Sequence, residues 1–126
     1  MSGSQFFNAY LASYVVLLND ENKVFMLRRT NTDWCAGYYN LPAGKVERHE
    51  TFLTTAVREA KEEAGVDIEP GDLTLFLVQS RFNPGNKYED WVDMFFVTKA
   101  WKGTPTIAEP AKADHMGWFS LDDKAV

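Results

Sequence analysis

Apolar residues run almost unbroken through YLASYVVLLND, residues 10–20, and stop at the turn-forming run NDEN. A run of this kind predicts a buried strand, and KVFMLRR, residues 23–29, predicts the strand that pairs with it. Polar and turn residues then carry the chain through TNTDWCAGYYN into LPAGKVE, a loop with short extended pieces around Pro42 and Gly44. From about Thr51 to Ala64 the period lengthens. Leu53, Ala56, Val57, Ala60 and Ala64 fall within an arc of roughly 100° at 3.6 residues per turn, which predicts an amphipathic helix. Gly65 follows where helices commonly end in a left-handed residue.

Beyond the helix, LTLFLVQSRF and WVDMFFVTKAW are β-rich runs separated by NPGNKYED, which predicts a hairpin with a long polar tip. The loop KGTPTIAEPAKAD leads to a short strand, HMGWFS, and SLDD reads as the start of a helix with Ser120 as its N-cap. Strands, helix, strands and a further helix favour an α/β fold with a mixed sheet flanked by helices over a parallel doubly wound fold. The 126 residues read as one domain, 1–126, whose last helix is short or truncated because the chain stops at Val126.

Composition narrows the classes. A hydrophobic share of 45% supplies enough apolar surface for a packed core and excludes a disordered chain. A formal net charge of -5 excludes the overall basic footprint of a duplex nucleic-acid binder, so an anionic substrate needs local cations or bound metal. The one cysteine, Cys35, permits no intrachain disulfide, and MSGSQFFNAY lacks a basic region followed by a long apolar run. Both point to a reduced, cytoplasmic setting. Nowhere do about eighteen apolar residues follow one another, so no membrane span is expected.

On the helical wheel Glu59, Glu62 and Glu63 lie together, roughly 80° to 180° from the centre of the apolar stripe. A solvated acidic face is the ordinary reading of such residues. Two details argue against it here. The acids sit in the last turns, where the helix dipole disfavours negative charge, and no lysine or arginine stands four residues after any of them. Clustered carboxylates are what a hard divalent cation such as Mg²⁺ takes as ligands, and Glu59 and Glu63, one turn apart, can converge on one ion.

The spacing of Gly44, Glu50, Arg58, Glu59, Ala60, Glu62, Glu63, Gly65 and Val66 resembles the Nudix hydrolase box. That pattern runs glycine, five residues, glutamate, seven residues, Arg-Glu, an aliphatic, any residue, Glu-Glu, any residue, glycine, aliphatic. Every polar position is present, with Ala60 a small occupant of an aliphatic one. Most of residues 10–121 resembles the small MutT-like members, which hydrolyse nucleoside triphosphates to the monophosphate and pyrophosphate. The fold so implied is an α/β/α sandwich around a mixed β-sheet.

The resemblance also implies roles. Glu59, Glu62 and Glu63, with the main-chain carbonyl of Ala43, are the implied ligands of Mg²⁺, for which Mn²⁺ can substitute. Arg58 and Glu50 form an implied ion pair that orients the acids, and Gly44, the first position of the box, is a further supporting residue. Catalysis falls to Glu59, Glu62, Arg58 and Glu109: bound metal lowers the pKa of a coordinated water, a carboxylate removes its proton, and the water displaces at phosphorus. Glu109 stands where these members carry a glutamate on a mobile loop, a further ligand or base. Arg29 matches an arginine that contacts phosphate. Asn40 stands where mammalian members that clear oxidised purine nucleotides place a base-reading asparagine. Each of the last three has a plain alternative: an exposed loop acid, an edge-strand cation, a turn asparagine. The implied partner is a small-molecule nucleotide, and a homodimer is common in the family.

His49 and His115 are isolated and read as surface or structural, Cys35 as inert, Trp34 as a loop aromatic covering the core, and Trp118 with Phe119 as core. Competing functions are hydrolysis of ADP-ribose or another diphosphate-linked nucleoside, and a non-catalytic nucleotide-binding module. Family members acting on ADP-ribose tend to carry a proline about fifteen residues past the box, where this chain reads QSRFN and Pro84 arrives late. Non-catalytic modules usually lack box carboxylates, and this chain lacks none.

Overall fold

Strands β1 (Tyr10–Leu17) and β2 (Val24–Arg29) form where the apolar runs predict them, but they lie in different sheets. The computed structural model describes residue 6 and residues 8–32, 36–82 and 90–121. Trp34, Cys35, Pro84 and most of the expected C-terminal helix lie outside the described residues.

The expected β1–β2 hairpin is therefore corrected. Apart from a bridge between Leu18 and Val24, no ladder joins the two among the described residues. β1 runs parallel to β6 (Trp91–Thr98) and antiparallel to β4 (Ala43–Lys45). β2 lies between β3 (Tyr39–Asn40) and β7 (Ala113–Phe119), antiparallel to both. The physical reason is burial: a nearly continuous apolar run is best covered at the centre of a sheet, where partners flank both edges. β5 (Thr74–Arg81) and β6 do form the predicted antiparallel hairpin pair, with a bulge between Leu75 and Leu77. The sheets are thus a mixed one, ordered β4-β1-β6-β5, and an antiparallel one, ordered β3-β2-β7. At the β5 edge Leu75, Phe76, Leu77 and Val78 are each about half exposed.

Helix α1 (Phe52–Glu59) is capped by Thr51, whose Oγ1 accepts the Thr54 N–H at 3.1 Å. Its apolar stripe packs Ala56, Ala60 and Ala64 into a core shared with Val15, Leu17, Phe25, Leu27, Val66, Ile68 and Phe96. Small alanines let the helix axis approach the sheets closely. The single helix expected to Ala64 is also corrected: Ala60–Ala64 is one wide π turn, ended by Gly65 at φ 72°. The reason lies outside the segment. The carbonyls of Glu63 and Ala64 accept the N–H groups of Ala108 and Thr106 at 3.1 and 3.0 Å, so a distant loop takes up the helix end. Trp118 packs against the core as expected, edge-on to Phe25 and stacked near Trp101. Among the described residues no helix is long and apolar enough to cross a membrane.

Candidate functional site

Arg58 is the hub of the box residues. Its Nε donates to Glu50 Oε2 at 2.7 Å and its Nη2 to Glu50 Oε1 at 2.9 Å, so the expected pair forms as a two-pronged fork. Nη1 donates to Glu59 Oε1 at 2.6 Å and to Glu62 Oε2 at 3.3 Å, and Nη2 also reaches the Lys45 carbonyl at 3.2 Å. One guanidinium thereby ties the loop before the helix, strand β4 and two of the clustered acids. Glu50 is further held by the Glu47 N–H and the Thr55 hydroxyl. The Arg58 fork, aided by these donors, holds the Glu50 carboxyl far down at about 2. Arg58 is in turn raised above its ordinary value by its hydrogen bond to Glu50.

The acidic residues do not form a uniformly solvated face. Glu59 is buried between α1 and β4, where a Cβ on Gly44 would collide with its carboxyl, while the Glu62 side chain is 47% exposed. Burial raises the Glu59 carboxyl above its usual range; Arg58 opposes this, and the charges of Glu62 and Glu109 add to it. Glu63 Oε1 accepts the Ala43 N–H at 2.7 Å. Burial pushes the Glu63 carboxyl up to about 8, against the pull of that N–H and with the neighbouring charges of Glu59 and Glu109 adding to the rise.

Glu109 arrives from the far end of the chain. Its loop is fastened on one side to the helix end through Thr106 and Ala108. On the other side it is fastened to the end of β2, where the Thr30 N–H donates to the Lys112 carbonyl and Asn31 Nδ2 to the Ala111 carbonyl. Glu109 Oε1 is buried and has no hydrogen-bond partner among the described residues. A buried, unclaimed carboxylate oxygen calls for a donor or a cation.

These groups face a cleft of about 300 Å³ lined by Arg29, Asn40, Ala43, Glu63, Glu109 and Lys112 among others. Arg29 Nη2 reaches Thr32 Oγ1 at 3.4 Å, and Asn40 Oδ1 is engaged by the Leu41 N–H at 2.8 Å. Arg29, Asn40, Ala43, Glu63 and Glu109 therefore meet in one cleft, with Glu59 close behind, whereas Glu62, Glu50 and Arg58 stand beside it. Among the described residues no three His, Cys, Asp or Glu side chains are gathered closely enough to hold an ion as they stand. Glu59 is drawn to Arg58 and Glu63 to Ala43. The donor set nevertheless suits a hard divalent cation: it is all oxygen, partly buried and rich in negative charge, and Glu109 Oε1 awaits a partner.

Sequence reasoning assigned nothing to Lys112, whose presence at the cleft depends on the backbone pairing with Thr30. It also passed over Asp93, which is fully buried on β6 and accepts from Arg81 Nε and Nη2 at 2.6 and 3.0 Å and from Gln79 Nε2 at 3.2 Å. An acid inside the apolar run WVDMFFV was the available signal. His115 is structural, its Nδ1 within 2.7 Å of the Tyr39 hydroxyl.

Residues 10–124 match the NUDIX domain. The chain is 32% identical over 111 residues to the 8-oxo-dGDP phosphatase NUDT18 of Mus musculus, covering 84% of this chain and 32% of that protein. It thus spans about a third of that relative's length. It is 30% identical over 106 residues to the 8-oxo-dGTP diphosphatase of Escherichia coli (strain K12), covering 84% of this chain and 76% of that protein. The crystal structure of a MutT NUDIX hydrolase from Burkholderia pseudomallei superposes with a TM-score of 0.82 at 28% identity, covering 92% of this chain and 86% of that one.

Proposed function

The chain belongs to the NUDIX family, among its MutT-like hydrolases, and from that premise we propose that it cleaves a nucleoside triphosphate bearing an oxidised purine, releasing the monophosphate and pyrophosphate. The observation that carries this reading is the single cleft lined by Glu63, Glu109, Ala43 and Arg29, with Glu63 hydrogen-bonded to the Ala43 N–H. Carboxylates for a cation and a guanidinium for phosphate are what a metal-bound polyphosphate requires. Residues 1–126 act in this reading as a single catalytic domain.

Glu59, Glu62, Glu63 and the Ala43 carbonyl are the groups that would hold a divalent cation, Mg²⁺ with Mn²⁺ as a substitute. When bound, such an ion neutralises the acidic cluster, screens the phosphate charge and acidifies a coordinated water. Arg58 does not touch substrate; with Glu50 as its anchor it fixes the carboxylates of Glu59 and Glu62. Arg29 takes phosphate oxygens. Glu109 Oε1, an acceptor that no described residue claims, receives the proton of the attacking water. The water oxygen bonds to phosphorus, the bridging P–O bond breaks, and pyrophosphate leaves. Asn40 presents its amide to the purine edge.

Oxidised purines are favoured because the relatives from mouse and Escherichia coli are named for oxidised guanine nucleotides. The mouse protein is named an 8-oxo-dGDP phosphatase, which makes an oxidised nucleoside diphosphate the second reading. Product identification with Mg²⁺ across natural and oxidised tri- and diphosphates, ADP-ribose and a dinucleoside polyphosphate tests both. Pyrophosphate from an oxidised triphosphate supports the first reading, and inorganic phosphate from a diphosphate supports the second. Turnover of ADP-ribose alone overturns both.

A further inference from the structure

We propose that Lys112 is a phosphate-binding residue of this cleft, taking the polyphosphate of the substrate together with Arg29. This rests on the triphosphate-hydrolase reading above and adds a residue to it.

The backbone brings Lys112 to the cleft and holds it there. Ala113 pairs with Arg29 in the β2–β7 register, and the Thr30 N–H donates to the Lys112 carbonyl at 2.9 Å. The Lys112 and Ala113 N–H groups both donate to the Glu109 carbonyl, at 2.9 and 3.2 Å, closing one helical turn. That turn sets Lys112 beside Glu109, with Nζ 3.7 Å from Glu109 Oε2. Lys112 lines the cleft alongside Arg29 and Glu63.

The charges in the cleft divide by sign. Among the described residues the cleft is lined by two carboxylates, Glu63 and Glu109, and two cations, Arg29 and Lys112. A divalent cation with a triphosphate demands this division: carboxylates for the ion, ammonium and guanidinium for the phosphate oxygens that the ion leaves uncovered. The Lys112–Glu109 contact is long, and the Lys112 side chain is 71% exposed. Such a contact is worth little, so the ammonium can leave Glu109 for a phosphate at small cost. A lysine on a flexible stem serves phosphate as a movable point charge, complementing the fixed fork of Arg29.

The rival role is a counter-ion that only positions Glu109. Steady-state kinetics on the best triphosphate with Mg²⁺, inhibition by inorganic pyrophosphate, and calorimetric titration with magnesium pyrophosphate separate the two, using Lys112→Met and Lys112→Arg. Because the side chain is exposed, both variants should keep the thermal midpoint of the parent. We expect Lys112→Met to raise KM and to weaken pyrophosphate binding by about tenfold, the loss of one charge-assisted contact. Its kcat should stay within about twofold of the parent, and Lys112→Arg should restore both affinities. Unchanged KM and pyrophosphate affinity, or a fall in kcat alone, overturns the inference while leaving the hydrolase reading intact. A parent protein that binds magnesium pyrophosphate through Lys112 yet cleaves no triphosphate supports the inference and sinks the triphosphate reading.

Discussion

Gly44 and Glu59 compete for one volume: a methyl group on Gly44 would collide with the Cδ and Oε1 of Glu59. The glycine lies in β4 directly under the carboxyl that Arg58 holds, so the absence of a side chain is what lets α1 seat Glu59 against the strand. Gly44→Ala should therefore displace the carboxyl or push the helix off the sheet. We expect a destabilisation of about 1–3 kcal/mol, as for overpacking elsewhere, and a loss of turnover of at least tenfold. Thermal unfolding and kcat measure these; an alanine variant with the activity of the parent would falsify the packing argument.

The Arg58–Glu50 fork carries a pH dependence of stability. Glu50 has a folded-state carboxyl near 2 against an ordinary value of 4.5, because Arg58 and two further donors prefer its charged form. A depressed carboxylate contributes stability that is present above the unfolded value and disappears as pH falls through the folded one. Stability should thus decline between about pH 4.5 and pH 2. Glu50→Gln should be less stable than the parent at neutral pH and flatter in that window. Denaturant titrations at several pH values decide it, and equal slopes for the two proteins would remove Glu50 from the account.

Glu63 has the opposite sign. Burial holds its carboxyl up at about 8, so between about pH 4.5 and pH 8 the folded state binds a proton that the unfolded state has released. Stability of the metal-free protein should therefore fall as pH rises through that range, and Glu63→Gln should abolish most of the slope. Adding Mg²⁺ should reverse the fall and release protons, since an ion competes with the proton for the carboxylate. Turnover of Glu63→Gln should drop by about 10² or more. A glutamine variant that keeps the pH slope of the parent contradicts the assignment of the proton to Glu63.

Glu109 contributes an oxygen that no described residue satisfies. As general base it should be worth about 10²–10⁴ in kcat, with a smaller change in KM. Glu109→Gln keeps the shape and removes the basicity. If that variant alters only the melting temperature, the loop acid is structural and the proton must go elsewhere.

What the chain discloses without its fold is what neighbours in sequence decide. The strand runs, the amphipathic stripe of Ala56, Ala60 and Ala64, the Thr51–Gly65 limits of the helical segment and the spacing from Gly44 to Val66 all depend on contacts within a turn or two, or on a fixed count along the chain. The Arg58–Glu50 fork is closed locally too, since the residues are eight apart, one just before the N-cap of α1 and the other in its last turn.

The tertiary structure decided the rest. Tyr10–Leu17 prefers β6, some eighty residues on, to the adjacent β2, because central placement covers both edges and faces of an apolar strand. The final helical turn widens into a π turn whose carbonyls are taken by Thr106 and Ala108. The Glu63 carboxyl is raised because the fold buries much of it, which no spacing reveals. Glu109 and Lys112 reach Arg29 and Glu63 only through a loop stapled to two distant elements. Burial and long-range hydrogen bonding are properties of the whole packed chain, so the carboxylates were legible from the sequence, whereas their surroundings, and the cation beside them, were settled by folding.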